Sequence, residues 1–349
     1  MDLSNKTIWQ QACGDTDRNY SKVCLDWDVI LNGPGIHGKT PDTNKKLRNL
    51  GFSSRKVTDL NRFALEMKDG DLVVLRLGTG LIHGIGVIVG DYQWLDIFGD
   101  IDGWDLQHVR RVKWLKKFYS PIEFDTYTLK QGDTTQILDS DTINDWIQSL
   151  DISEEEMNRE LVQLPTDIDY SEVSHEDISE FLFAEGVASN SINRLTEEID
   201  ELQRIAKWYQ NHTIPSEHET VAYLVAPLLR ALGWTPQKMA VEWNRVDVAL
   251  FKSLPREDQN LTIVVEAKKK GYSCLTARSQ AESYAINRSG CDRLIVTDGL
   301  RYGIYFKKDD DFNLYAYMNL TNLRSSHPIY KCRGTQHALL AITPEWNPN

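Results

Sequence analysis

Three charged side chains, Asp247, Glu266 and Lys268, have the types and spacing that phosphate chemistry uses. The segment Leu261–Lys268 reads LTIVVEAK, a short run of β-branched and apolar residues between polar loops, which predicts a buried strand. Side chains alternate along a strand, so Glu266 and Lys268 share one face. A carboxylate and an ammonium are costly to bury without partners, so this end of the strand is a candidate site.

A second carboxylate is expected opposite Glu266. The segment Arg245–Phe251, RVDVALF, predicts another strand, and the polar loop Ser253–Asn260 joins the two strands as a hairpin. In that hairpin Asp247 meets Glu266 across the strand pair, with Lys268 one pleat further along. Two carboxylates and a lysine at a sheet edge suit a hard divalent cation together with a phosphate group.

The elements around this hairpin complete the expected module. Residues 216–234, SEHETVAYLVAPLLRALGW, predict an amphipathic helix that Gly233 ends and Pro227 kinks. Glu217 falls on the apolar face of this helix and is a candidate site residue; the alternative is that it only supports the helix N-terminus. Gln280 and Tyr284, four residues apart, share a face of a later helix.

A helical crossover after Lys268 makes the next strand, Arg293–Gly299, parallel to the first. This order of elements, with the motifs SEHET, APLLRALGW, RVDVAL, VVEAKK, QAESYA and LIVTDGLRYGIY, resembles the PD-(D/E)xK nuclease superfamily. Within it, the chain is most similar to the N-terminal nuclease region of type I restriction-enzyme R subunits. The resemblance implies a restriction-endonuclease-like αβββαβ core.

The resemblance also implies roles for six residues. Asp247 and Glu266 match the metal-binding carboxylates, and Lys268 matches the lysine that orients the attacking water. Glu217 matches the first-helix acid, and Gln280 with Tyr284 matches a QxxxY helix that flanks the active site. The implied cofactor is Mg²⁺, with Mn²⁺ as a substitute. The alternative, a surface Glu–Lys pair on a strand, does not explain why the other residues fall in register.

The first 120 residues predict a small β-rich domain. Its strand His108–Leu115 carries Arg110, Arg111 and Lys113 beside Trp114, and bases interleaved with aromatic residues can follow a phosphate backbone. A solvated strand face with Trp114 in the core is the alternative. Glycines within the segment Leu81–Val89 predict a bulge or a close backbone approach.

The motifs GDLVVLR, IHGIGVIVG and WDLQHVRRVKW resemble the PUA-like superfamily, particularly EVE-type domains. The resemblance implies a small β-barrel that reads nucleic acid and holds a modified base in an aromatic-lined pocket. Trp27, Asp28, His83 and Trp94 are candidates for that pocket by residue type and placement. Each of the four has a plain alternative as a core or surface residue.

Charge is unevenly distributed along the chain, whose net charge is −12. The segment 121–204 holds 22 acidic and four basic residues, so the regions on either side are mildly basic. Five scattered cysteines without a CxxC pair indicate neither a zinc site nor a disulfide framework. The start of the sequence has no signal-peptide pattern and no apolar run long enough to span a membrane, so a cytoplasmic protein without membrane association is expected.

These observations predict a mixed α/β and α+β protein with three parts: a PUA-like reader at 1–120, an acidic helical connector at 121–205 and a nuclease domain at 206–349. Apolar residues at helical spacing from Ile192 to Ile205 predict that the connector contains a solvated helical spacer. The alternatives are that the connector mimics nucleic acid or mediates dimerisation.

The predicted function is Mg²⁺-dependent endonucleolytic cleavage of DNA, in modification-dependent restriction and antiviral defence. No GxxxxGK[ST] phosphate loop occurs, so the chain carries no helicase motor. One active site cuts one strand, so a homodimer is expected for double-strand cleavage. Two alternatives remain: a catalytically idle nuclease fold that only binds nucleic acid, and a nuclease triggered by a small nucleotide or a partner protein.

Overall fold

The computed structural model describes residues 6–15, 18–166, 170–210, 212–271 and 273–346. The chain forms two units, residues 1–165 and 166–349, and each combines helices with one sheet. Residues of the predicted connector are divided between them, because 121–165 belong to the first unit and 166–205 to the second. No helix among the described residues is both long enough and apolar enough to cross a membrane.

The first unit is built on a curled, half-barrel sheet of six strands. Its strands are β1 Ile8–Ala12, β2 Val29–Asn32, β3 Leu72–Leu77, β4 Leu81–Trp94, β5 His108–Glu123 and β6 Thr135–Ile137, in the order β2-β5-β4-β3-β1-β6. Its helices are α1 Ser21–Trp27, α2 Asn44–Asn49, α3 Ser54–Asn61, α4 Asp141–Ser149 and α5 Glu154–Asn158. A π-helical turn, Arg62–Glu66, extends α3.

Both glycine effects predicted for β4 are confirmed. The register between β4 and β5 shifts between Ile82 and Gly84 and again between Ile85 and Gly86. A Cβ atom at Gly86 would lie 2.7 Å from the main-chain carbonyl oxygen of Lys113, so only glycine fits there. The bulges bend the two long strands, and this bending contributes to the curl of the sheet.

The second unit contains an eight-stranded sheet. Its strands are β7 Met239–Trp243, β8 Val246–Phe251, β9 Leu261–Ala267, β10 Arg293–Thr297, β11 Arg301–Lys308, β12 Asp311–Asn319, β13 Ser326–His327 and β14 Cys332–Arg333. Its helices are α6 His175–Ala184, α7 Ser189–Gln210, α8 Glu217–Thr220, α9 Ala226–Ala231, α10 Arg278–Ala285 and α11 Thr335–Ile342. The sheet order is β13-β14-β12-β11-β10-β9-β8-β7.

Helices cover both faces of this sheet. Residues of α6, α7, α9 and α11 share one buried apolar cluster with Val248, Ile263 and Val265, while Ala281 and Ala285 of α10 share another with Val264. Helix α7 is therefore part of the core of the second unit rather than a solvated spacer, because its apolar stripe at Ile192, Leu195, Ile199 and Leu202 is buried.

The predicted hairpin and crossover are both present. Strands β8 and β9 are antiparallel, and β10 runs parallel to β9 after α10. The long helix predicted at 216–232 is interrupted by a π-helical turn, Val221–Val225. Pro227 lies just after this turn and has no N–H to donate, so the change in helical hydrogen bonding falls beside it. The kink itself stays a prediction. The order helix, three strands, helix, strand agrees with the αβββαβ order expected from the sequence.

Candidate active site

The candidate active site lies at the adjacent ends of β8 and β9. Val248 is paired with Val265, which places Asp247 opposite Glu266 at the end of the ladder. The main-chain N–H of Ala267 donates to Asp247 Oδ2 over 2.7 Å, and this bond holds the carboxylate against the neighbouring strand. The two predicted carboxylates are therefore brought together.

Glu266 is the buried acid of the pair, with 2% of its surface exposed. Its Oε1 lies 3.1 Å from Lys268 Nζ, whereas Oε2 is enclosed without a hydrogen-bond partner among the described residues. Burial and then the charge of Asp247 raise the pKa of Glu266 to about 7. Burial also raises the pKa of Asp247. Both carboxyls therefore lack full compensation for their charge.

A hydrogen-bond relay links the remaining predicted residues on this sheet edge. Lys268 Nζ donates to Glu266 Oε1 and, over 2.9 Å, to Gln280 Oε1. Gln280 Nε2 donates to Tyr284 OH over 3.2 Å, so its amide oxygen faces the ammonium. The relay fixes Lys268 beside the two carboxylates.

Glu217 takes a different position from the one expected. It is the first residue of α8 and is exposed, because burial along this helix begins at Thr220 and Val221. The expectation that Glu217 faces the core is therefore wrong. Its negative charge still raises the pKa of both Asp247 and Glu266, so it lies in the electrostatic range of the site.

Glu242 on β7 is a neighbour that sequence reasoning missed. Its charge raises the pKa of Asp247, and its Oε1 lies 3.1 Å from His218 Nδ1. Its backbone has a positive φ of 53°, so strand alternation does not predict where the side chain goes. The available signal was an acid in the segment MAVEW, which a single residue, Asn244, separates from RVDVAL.

The donor set fits a hard divalent cation. No group of three or more His, Cys, Asp and Glu side chains in the described part of the chain is arranged as a metal site. Mg²⁺ keeps several waters, however, and one or two carboxylates are enough to hold it. The unpartnered Glu266 Oε2 is the observation that favours a cation here. Asp247 and Glu266 are the residues that would hold it.

The raised pKa of Glu266 predicts a pH-dependent response to Mg²⁺. Between the ordinary glutamate value of 4.5 and about 7, the folded state keeps a proton that the unfolded state has lost. This group therefore lowers the free energy of unfolding as pH rises through that window. Added Mg²⁺ compensates the charge, so we expect it to raise the melting temperature more at pH 8 than at pH 6. Equal shifts measured by calorimetry at the two pH values would contradict this assignment.

The seven N-terminal candidates are not gathered into one pocket. Asp28 is fully buried and forms ion pairs with Lys117 at 2.9 Å and Arg159 at 2.8 Å. Burial opposes its ionisation, but these partners and the Val162 N–H, which donates over 2.9 Å, lower the pKa of Asp28 overall. Asp28 therefore holds the segment that follows α5 against the end of α1.

The basic candidates on β5 also contact their own chain. Arg110 is buried and donates to the carbonyl oxygens of Phe63 and Ala64, each over 3.0 Å. Arg111 Nε donates to the Asp28 carbonyl over 3.3 Å, and Lys113 Nζ donates to the Met157 carbonyl over 3.3 Å. Their side chains hold together elements of the first unit.

The aromatic candidates are similarly dispersed. Trp27 is buried at the end of α1, and His83 is buried with Nδ1 3.2 Å from the Phe118 carbonyl. Burial lowers the pKa of His83. Trp94 is partly buried and donates from Nε1 to the Gly35 carbonyl over 2.8 Å. None of the seven candidates lines the cavity described next.

A cavity of about 320 Å³ lies in the first unit, and its volume falls in the range of small-molecule sites. Its lining residues are Tyr20, Asn32, Gly33, Pro34, Lys56, Gly103, Trp104, Asp105, Leu106 and Thr134. The rings of Tyr20 and Trp104 meet edge to face at 5.8 Å, and Lys56 Nζ donates to Asn32 Oδ1 over 3.0 Å. Aromatic surface thus lies beside polar groups in one concave site.

Residues 7–143 match a family described as a domain of unknown function, DUF8426. The match includes every residue that lines the cavity of the first unit. No curated protein matches the chain.

Proposed function

We propose that this protein is a Mg²⁺-dependent endonuclease of the PD-(D/E)xK superfamily that cleaves DNA in modification-dependent restriction and antiviral defence. The observation that supports the proposal is the convergence of Asp247, Glu266 and Lys268 at the ends of two paired strands. A structural ion pair would not require Glu266 Oε2 to be enclosed without a partner.

Each residue would have a separate role in phosphodiester hydrolysis. Asp247 and Glu266 would hold Mg²⁺, which when bound would activate water and neutralise charge on the phosphoryl oxygens. Lys268 places its ammonium where negative charge develops and can orient the attacking water. Gln280 keeps that ammonium in position, and Tyr284 fixes the orientation of the Gln280 amide. Glu266 must lose its proton before it can bind a cation, which favours activity above pH 7.

The first unit would act as a PUA-like reader that accepts a modified base flipped out of the duplex. Trp104, which is only partly buried, provides aromatic surface for stacking, and Lys56 provides a polar contact. The proposed reader pocket is therefore the cavity lined by Trp104, and not the set of residues expected from the sequence. Double-strand cleavage would require two active sites, and a homodimer supplies them.

The direct test is incubation of the full chain with DNA of one sequence, either unmodified or carrying modified cytosine, with and without Mg²⁺. With Mg²⁺ present, we expect the modified DNA to be cleaved in preference to the unmodified DNA. Without Mg²⁺, we expect neither DNA to be cleaved. Binding of modified DNA without any cleavage would support the idle nuclease fold instead. Equal cleavage of both DNAs would remove the modified-base trigger.

Substitution of Trp104 by Ala should weaken the preference for modified DNA about tenfold, because stacking of one base on an aromatic ring contributes about 1–3 kcal/mol. Cleavage of unmodified DNA should change little. The matched control is Tyr127→Ala, which removes an exposed aromatic ring from the same unit. Cleavage of the two DNAs in competition gives the ratio of their cleavage rates, which measures this preference. If the ratio is unchanged in Trp104→Ala, this cavity is excluded as the reader pocket.

A further inference from the structure

A second cavity, of about 530 Å³, lies in the second unit and is separate from the candidate active-site residues. It is bounded by α6, α11, the strands β11 and β12 and the segment after α11. Its volume falls in the range of small-molecule sites.

One side of the cavity is aromatic. The Trp346 ring lies 5.3 Å from the Tyr315 ring and 6.1 Å from the Phe306 ring, and all three side chains are only partly buried. The buried Arg293 guanidinium lies 5.3 Å from the Trp346 ring and helps to hold the indole in place. The planes of Trp346 and Tyr315 are 47° apart, and the Arg333 guanidinium lies 5.1 Å from the Tyr315 ring centre. Trp346 is therefore the ring on which a planar ligand can stack.

The other side of the cavity carries groups that can bind polar atoms. Arg333 is exposed, and its Nη1 donates to Tyr315 OH over 2.9 Å, which uses one of its five N–H donors. His337 Nδ1 is enclosed without a hydrogen-bond partner among the described residues. Burial and the charge of Arg333 lower the pKa of His337, so its imidazole is neutral near pH 7.

Two carboxylates complete the lining, Glu185 and Glu345. They accept hydrogen bonds from amino or ring N–H groups and would repel a simple anion. A purely apolar ligand would leave the enclosed His337 Nδ1 without a hydrogen-bond partner. The lining therefore favours a molecule that combines a planar heterocycle, N–H donors and one anionic group.

We propose that this cavity binds a mononucleotide, with the base stacked on Trp346 and the phosphate paired with Arg333. Glu185, Glu345 and His337 face the polar edges of the base. The inference does not depend on the proposed nuclease activity, because binding can be measured without cleavage.

The test is calorimetric titration of the full chain with AMP, GMP, CMP and UMP, in buffer that contains EDTA. At least one of them should bind with a Kd below about 1 mM. Inorganic phosphate and the matching nucleoside should each bind at least tenfold more weakly. The Arg333→Gln variant should weaken nucleotide binding about tenfold or more and leave nucleoside binding unchanged. The Trp346→Leu variant should weaken both.

The matched control is Lys308→Gln, which removes an exposed cation of β11 that does not line the cavity and should leave all affinities unchanged. If Trp346→Leu fails to fold, Tyr315→Phe replaces it; loss of the hydroxyl that holds Arg333 should weaken nucleotide binding several-fold. Failure of all four nucleotides to bind would overturn the proposal. So would binding that is unchanged in Arg333→Gln, because the nucleotide would then occupy another site.

Discussion

Replacement of Glu266 by Gln should reduce Mg²⁺-dependent DNA cleavage by about a thousandfold or more and stabilise the metal-free protein above pH 7. The loss of activity follows because a neutral amide is a poor ligand for Mg²⁺, and metal activation is worth several kcal/mol, at 1.36 kcal/mol for each tenfold change in rate. Gln has nearly the same shape as Glu, so the strand pair should be retained.

The gain in stability has a defined sign. The pKa of Glu266 is raised from 4.5 to about 7, so in the wild-type protein its contribution lowers the free energy of unfolding as pH rises between these values. The Gln variant removes that decrease, and above pH 7 it should be more stable by about 3 kcal/mol. Below pH 4.5 the two proteins should have similar stability.

Rates of single-turnover cleavage and denaturant unfolding at pH 5 and pH 8 measure the two effects. Glu197→Gln is the matched control, since Glu197 is an exposed acid on α7. It should leave both quantities unchanged. Retained cleavage in Glu266→Gln would end the nuclease proposal, whereas lost cleavage together with lost stability would indicate a purely structural role.

Replacement of Lys268 by Met should reduce cleavage about 100-fold to 1,000-fold, the range found when one preorganised donor is removed from a charge-stabilising site. It should also shift the pH profile of any residual activity upward. Lys268 lowers the pKa of Glu266 through its hydrogen bond and its charge, so without it the Glu266 carboxyl holds its proton to higher pH.

The neighbouring Lys269 gives the matched control, because it is exposed and lies one residue further along the chain. Cleavage by Lys269→Met should stay close to wild type, apart from a modest loss of general affinity for DNA. Rates measured from pH 6 to pH 9 test both variants. A profile of Lys268→Met that moves downward in pH would refute the assigned contact with Glu266.

Local patterns were sufficient for most of the candidate active site, although they gave the wrong exposure for Glu217 and missed Glu242. Alternation in RVDVAL and LTIVVEAK placed Asp247 and Glu266 on facing strands, and the helix between Lys268 and Arg293 required β10 to run parallel to β9. The four-residue spacing of Gln280 and Tyr284 placed them on one helix face. Each of these inferences depends on residues that are close in sequence or on the geometry of a single element.

The N-terminal pocket could not be predicted in this way. Arg110, Arg111 and Asp28 have the residue types of a nucleic-acid surface, but other segments of the chain supply their partners. The cavity lined by Tyr20 and Trp104 is instead formed by residues that lie up to 114 positions apart, Tyr20 and Thr134. No periodicity within one strand or helix predicts that residues so distant in sequence line one cavity.

By itself, the sequence determined that strands form within Arg245–Phe251, Leu261–Lys268 and Arg293–Gly299 and which charged side chains share a strand end, because side-chain periodicity is a local property of the backbone. The tertiary structure alone decided that Glu266 Oε2 is enclosed, that Glu217 is exposed, and that Phe181 and Trp346 line one cavity. Burial and desolvation depend on elements distant in the chain that pack over a residue, and these contacts set the pKa of an acid and the shape of a pocket.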